Sequence, residues 1–254
     1  MKKSFIKNIT FWIAALAVSN ATFANNGMYL SGYGTESSLM GGADVAVSRD
    51  AFASNNNPSG LTQLHGQAFE FELAPYNVWN TSHSDGFGNN RDRNDTGTGV
   101  YANAAYARHF ENSPLAAGVA LVVQGGTGWT QEDMRVNPQL GGGRDDMSAM
   151  FTVIKLAPAL AWEVNKRLSL GVTLGINYLA ANEEVFPNTS CSNCLFGQDF
   201  SGFSFQNASG TTFTTKWGLQ YRPGGDTVIG VTYGTKADIT LKDGYLKYNL
   251  SNAG

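Results

Sequence analysis

Leu168-Ser169-Leu170-Gly171-Val172-Thr173-Leu174-Gly175-Ile176-Asn177-Tyr178 places Leu, Val, Ile or Tyr at every even position. Every odd position is Ser, Gly, Thr or Asn. A period of two over so long a run is a β-strand with one apolar and one small or polar face. Residues 213–222 repeat the pattern, with Phe213, Thr215, Trp217, Leu219 and Tyr221 opposed by Thr214, Lys216, Gly218, Gln220 and Arg222. Residues 227–241 do so again, and weaker alternation runs through 67–79, 96–110, 115–124 and 148–164. That makes about seven strands, most of them 10 to 17 residues long. Strands of soluble domains average roughly 5–6 residues, whereas a tilted strand that crosses a bilayer needs about 9–11.

The connections divide into two kinds. Residues 111–114, 165–167 and 223–226 are short and rich in turn formers. Residues 80–95, 125–147 and 180–212 are long and polar or glycine-rich, and the two kinds alternate along the chain. Short periplasmic turns and long external loops are the mark of an outer-membrane barrel. A soluble β-sandwich would have shorter strands and no reason for loop length to alternate. Trp79, Trp129 and Tyr178 fall near the expected external ends, and Phe110, Trp162 and Tyr221 near the periplasmic ends. Aromatic girdles are favoured at those two interfaces.

Composition agrees. The chain has 254 residues, of which 42% are hydrophobic and 15% charged, with 30 Gly. That excludes a disordered tail, a coiled coil and a disulfide scaffold. A balance of 17 basic against 20 acidic residues argues against a nucleic-acid partner. Lys2, Lys3 and Lys7, the apolar run 11–18 and the small residues before Ala24 read as a signal peptide over 1–24. Its removal leaves 14 basic and 20 acidic residues. No later apolar run approaches the ~20 residues of a membrane helix, so a membrane-resident form crosses with strands.

Alternation is absent from residues 25–66. This small, glycine-rich segment is too short for a core of its own, and a barrel lumen is the place it could pack. Gly41-Gly42-Ala43-Asp44-Val45-Ala46-Val47-Ser48-Arg49-Asp50, followed by Asn57-Pro58-Ser59-Gly60-Leu61, resembles the N-terminal hatch of the FadL/TodX family of outer-membrane channels for hydrophobic compounds. Lys155-Leu156-Ala157-Pro158-Ala159-Leu160-Ala161-Trp162 and Arg167-Leu168-Ser169-Leu170-Gly171-Val172 resemble its fourth and fifth strands, and residues 227–241 its seventh. Ser59 stands where the family usually has Ala, and the loop after the fifth strand opens acidic with Glu183-Glu184.

The resemblance implies an all-β transmembrane antiparallel barrel of fourteen strands. Residues 25–66 would be a hatch inside it, and residues 67–254 its first half. The chain would then be an incomplete one. It further implies passive uptake of long-chain fatty acids or hydrocarbons, in the outer membrane of a Gram-negative bacterium. Capture would be by external-loop aromatics, with a lumen gated by the hatch and lateral release through the wall. A kink of the third strand would open that wall, and Gly118 in the small-residue run 115–122 is the candidate. Close packing on the hatch explains the same glycine equally well. Gly41, Gly42, Asp50, Asn57 and Pro58 would carry the hatch, hinged near Asn57-Pro58.

The residues themselves favour binding over catalysis. His65, His83 and His109 fall in three different places, with no spacing that unites them. Cys191 and Cys194 read as a local disulfide rather than a metal site, and residues 85–95 as a solvated loop rather than a calcium site. No cofactor is called for. With Ile154, Leu156, Leu160 and Trp162 facing lipid, Met147, Ala149, Phe151, Val153, Ala157 and Ala159 face inward as an apolar stripe. It could line a solute cavity or pack on the hatch. Phe186, Leu195, Phe196, Phe200, Phe203 and Phe205 crowd one external loop, where apolar residues are costly unless they pack or bind. Phe151, Val153, Phe196, Phe200, Phe203 and Phe205 are therefore the expected substrate contacts. Lys216, with Lys155 and Lys236, is the inward cation that an acidic ligand would want. Expected partners are a hydrophobic small molecule and outer-membrane lipid and lipopolysaccharide, with the protein a monomer. The competing class is a surface-recognition barrel (an adhesin or phage receptor) with a static plug.

Overall fold

The computed structural model describes residues 29–77, 82–84, 92–93, 98–195 and 198–251. The signal-peptide reading, Trp79, Phe196 and most of 85–95 lie outside the described residues. All seven expected strands form, and each pairs antiparallel with the next. They are β1 (Gln67–Asn77), β4 (Thr98–His109), β5 (Leu115–Arg135), β6 (Arg144–Asn165), β7 (Leu168–Leu195), β8 (Gln198–Gly224) and β9 (Thr227–Gly234). A two-residue ribbon, β2 (Ser82–His83) with β3 (Asp92–Arg93), stands apart, and β10 (Tyr245–Tyr248) returns to β8. Among the described residues no helix is long and apolar enough to cross a membrane.

The alternation sorts into two faces as its period requires. Phe69, Leu160, Trp162, Phe213, Trp217 and Tyr233 are among the large apolar side chains left exposed on the outer face, where a bilayer would receive them. The opposite face carries Ala105, Ala107, Ala116, Ala120, Ala157, Ala159 and Ala161, all buried. Small side chains there leave room for the N-terminal segment. Its two 3₁₀ turns, Ala51–Ser54 and Pro58–Gln63, set Phe52 and Leu61 against these alanines in one core cluster. The inner alanines of β6 therefore pack on this segment.

Glycines make the seat closer still. A Cβ on Gly171 would lie 2.4 Å from the Pro58 carbonyl carbon, and one on Gly218 would lie 2.0 Å from Asn57 Oδ1. Gly230 meets the Val45 carbonyl in the same way. Asn57 caps its turn by accepting from Ser59 N at 3.2 Å, while its Nδ2 donates to the Val45 carbonyl at 2.6 Å.

Three expectations need correction. The stretches 125–147 and 180–212, read as long loops, are mostly strand, since β5–β6 and β7–β8 run on as paired ribbons. Their alternation is blurred because buried positions there mix apolar Met134 and Val136 with polar Gln131, Asp145 and Ser190, and side-chain bonds such as those of Asp145 to Asn188 and Thr189 join the backbone pairing. Phe200, Phe203 and Phe205 thus stand on β8, not in a loop. The seventh strand stops at Gly234 rather than at 241, and β10 then pairs with β8 at 203–206. In the external ribbon Cys191 and Cys194 form a disulfide.

Valine is a better strand former than glycine, yet Gly218→Val should destabilise the protein by about 1–3 kcal/mol through overpacking. Unfolding in detergent micelles checks this; a gain in stability would refute the seating of Asn57 and Pro58.

Candidate functional site

β1 and β4 pair along their whole length, from Gln67 opposite Arg108 to Asn77 opposite Thr98. β4 and β5 do not. Their ladder runs only from His109 opposite Ala116 to Ala104 opposite Leu121. Beyond it β4 stays with β1 and β5 stays with β6, so the wall divides. Asn103 closes the fork, its Oδ1 accepting from Val123 N at 2.8 Å and its Nδ2 donating to Glu72 at 2.8 Å. A bulge follows directly, with Val123 opposite Ile154 and Gly125 opposite Val153, leaving Gln124 unpaired in the ladder. A bulge bends its strand and raises the local twist.

The fork holds a cavity of about 820 Å³. Tyr76 and Tyr101 form one side, their rings stacked at 4.7 Å and 18°. Trp129, Met150 and Phe151 contribute apolar surface, and Glu184 and Gln206 are polar lining. Residues 125–128 put three glycines along it, so little side chain fills the space.

The N-terminal segment is held beside this fork by hydrogen bonds. Tyr29 bridges to Gly125, and Leu30 N donates to the Gln124 carbonyl at 3.3 Å. Tyr33 Oη donates to the same carbonyl. Glu72 accepts from Gly34 N at 3.2 Å and Ser38 Oγ at 3.3 Å, and Glu70 accepts from Ala51 N at 3.0 Å. Lys216 Nζ donates to the Asn55 carbonyl at 2.7 Å and the Asn56 carbonyl at 3.5 Å. Gln220 Nε2 reaches the Val45 and Ala46 carbonyls at 3.3 and 3.2 Å. Inward charged and amide side chains of the wall thereby satisfy backbone groups that a short segment cannot pair internally.

Of the expected substrate contacts, Phe151 lines the cavity and Val153 is buried opposite Gly125. Phe203 and Phe205 lie elsewhere, opposite Tyr248 and Leu246 of β10, and Phe200 lies opposite Cys191. Lys216 holds the N-terminal segment and also lines a smaller chamber. Gly118 sits in unbroken ladder, opposite Ala107 and Ala159, with Ser54 against its Cα. β5 is irregular instead at Gln124 and again between Gln131 and Met134. Gly41 and Gly42 form a positive-φ turn after the short helix Thr35–Leu39. Sequence reasoning does not single out Tyr76, Tyr101, Glu70, Glu72, Asn103 or Gln124. An acid on the inner face of a membrane strand is the available signal for the glutamates.

This fold has known counterparts. Residues 11–254 match the family described as outer membrane protein transport protein (OMPP1/FadL/TodX). The chain belongs to this family. Its fold is similar to that of the toluene transporter TodX of P. putida, at TM-score 0.62 and 15% identity, covering 83% of this chain and 57% of that one. The Ralstonia pickettii toluene transporter TbuX is similar at TM-score 0.63 and 19% identity, covering 84% and 59%. A Pseudomonas aeruginosa FadL homologue is similar at TM-score 0.50 and 13% identity, covering 76% and 49%. The chain thus spans less than two-thirds of the length of these transporters. No curated protein matches it significantly. Like the family, the protein is an outer-membrane β-barrel protein.

Asp50 caps the first 3₁₀ turn by accepting from Ala53 N at 3.1 Å. Burial, then the Glu70 carboxylate, push its pKa from the ordinary 3.8 up to about 7, with Glu36 and Asp44 adding smaller repulsions and Ala53 N opposing them. A raised carboxylate pKa means that the folded state binds the proton more tightly than the unfolded one. Its contribution is therefore complete below about pH 4 and is lost as pH rises through 7. Amide exchange of residues 50–56 should accelerate between pH 5 and about 8 beyond its intrinsic rise, and Asp50→Asn should remove that excess.

Proposed function

We propose that the protein takes up hydrophobic compounds across the outer membrane, passing them through the fork between β4 and β5. The carrying observation is that fork: a parted wall, ended by a bulge, holding a cavity lined by Tyr76, Tyr101, Trp129 and Phe151. Removing a solute from water drives capture at about 25 cal/mol per Å² of apolar area. Its flanking strands present apolar side chains to lipid on one side and the N-terminal segment on the other, so a solute in the cavity stands between lumen and bilayer. Release is sideways into the membrane, and no energy source is required where downstream consumption keeps the gradient.

Residues 25–66 act as the hatch. Tyr29 and Leu30 pair with the bulge, so a shift of this end changes access from the lumen to the fork. Asn57 and Pro58, wedged on Gly171 and Gly218, are the fixed end of that movement. Phe200, Phe203 and Phe205 give apolar surface on the external ribbon where solute first lands. TodX and TbuX, whose folds this chain shares, are toluene transporters, which supports a hydrophobic cargo.

Gly128 tests the route. A Cβ there meets nothing closer than 4.0 Å, so Gly128→Trp fills the cavity without strain. Uptake of a labelled hydrocarbon or fatty acid by cells should fall about tenfold or more, the equivalent of at least ~1.4 kcal/mol, with the amount of folded barrel unchanged. Normal uptake would exclude the fork as the path. Replacing Phe203 and Phe205 with Ser should raise the concentration needed for half-maximal uptake and leave the maximal rate intact.

A further inference from the structure

The fork cavity is not apolar throughout. Its aromatic lining comes from β1, β4, β5 and β6, with Tyr76, Tyr101, Trp129 and Phe151. Its acidic and amide lining comes from β7 and β8, with Asn182, Glu184, Gln206 and Asn207. Among the described residues that line it, Glu184 is the one acid, and there is no Lys or Arg.

Glu184 is half-buried and held in place. It stands in register between Ser148 of β6 and Ser204 of β8. Its Oε1 accepts from Ser204 Oγ at 2.9 Å and from Gln206 Nε2 at 2.7 Å. Gln206 is itself fixed, since its Oε1 accepts from Tyr245 Oη of β10 at 2.6 Å. The return of β10 to β8 thus orients the carboxylate through one amide. A carboxylate has about four acceptor positions, and the other oxygen is poorly used. Oε2 receives only Ser148 Oγ, at 3.5 Å. No ion pair of Glu184 is present among the described residues. A fixed carboxylate with spare acceptor capacity therefore borders an aromatic cavity.

We propose that Glu184 determines the specificity of the fork cavity by accepting a hydrogen bond from the hydroxyl of a phenol whose ring lies among Tyr76, Tyr101, Trp129 and Phe151. The inference rests on the uptake reading above and narrows its substrate class. A neutral hydroxyl gains a bond to an ionised acceptor, which is the stronger kind. Its ring gains the offset or edge contacts that aromatic pairs favour. The parent hydrocarbon keeps the ring contacts and leaves Oε2 without a better donor. A solute carboxylate meets a like charge with no cation in the lining to offset it. Selection thus has an attractive and a repulsive element.

The test compares 4-octylphenol, 4-octyltoluene and 4-octylbenzoate, which share ring and chain and differ in the group at one end. All are labelled, and equilibrium binding is measured at neutral pH, where a phenol with its pKa near ~10 is uncharged. The protein sits in outer-membrane lipid nanodiscs, and each affinity is referred to the free concentration of solute in the lipid. The wild-type protein should bind the phenol roughly tenfold more tightly than the hydrocarbon, and the benzoate more weakly than either. Glu184→Leu should abolish the preference for the phenol while hydrocarbon binding persists. Glu184→Gln, which keeps an acceptor oxygen, should lift the rejection of the benzoate. Gly128→Trp should remove binding of all three. Equal binding of phenol and hydrocarbon by the wild-type protein overturns the role of Glu184 and leaves the uptake reading standing. So does an undiminished preference in Glu184→Leu. Binding and uptake of none of the three overturns both. The wild-type comparison needs no variant, so it decides between these outcomes even where Glu184→Leu fails to fold.

Discussion

Everything on the inner face depends on one steric condition: the wall must come close enough to a short irregular segment to bury it. Ala105, Ala107, Ala116, Ala120, Ala157 and Ala159 supply shallow packing for Phe52 and Leu61. Gly171, Gly218 and Gly230 let backbone meet backbone. Larger side chains at these places would fill the lumen and leave the segment nowhere to bind. The same strands carry large apolar groups outward, so one alternating pattern serves lipid on one side and the N-terminal segment on the other.

Steric fit is matched by polar pairing. A segment with only short helical turns leaves many backbone groups unpaired, and each buried one must find a partner. Glu70, Glu72, Asn57, Lys216 and Gln220 provide those partners. Hydrogen bonds of this kind exchange with water or ligand groups at little net loss. An apolar interface of equal area would hold the segment more rigidly.

The fork between β4 and β5 follows from local chemistry at two residues. Asn103 uses its amide to end one ladder, and Gln124 adds a residue that the partner strand does not match. Glycines then keep the gap from filling. The wall opens without an unsatisfied edge at the parting point, because Asn103 takes over the pairing of Val123 N.

Strand number, face assignment and the inward position of Lys155, Lys216 and Gln220 were legible from period two alone, since residues 168–178 and 213–222 have one apolar neighbour layer to report. That residues 29–66 form no strand of the sheet was legible from the loss of that period. The ribbons past 125 and 180 were not, because their buried positions mix Met134 and Val136 with Gln131, Asp145 and Ser190, which blurs the alternation. Nor was the fork: Gln124 and Gly118 look alike as interruptions of an apolar run, and only register against β6 separates them. The chain by itself determined which side chains face lipid and which face inward, because that is a property of each strand alone. Which inner residues hold the N-terminal segment, which glycines receive it and where the wall parts were decided by tertiary structure, because each depends on the distance between groups far apart in the chain.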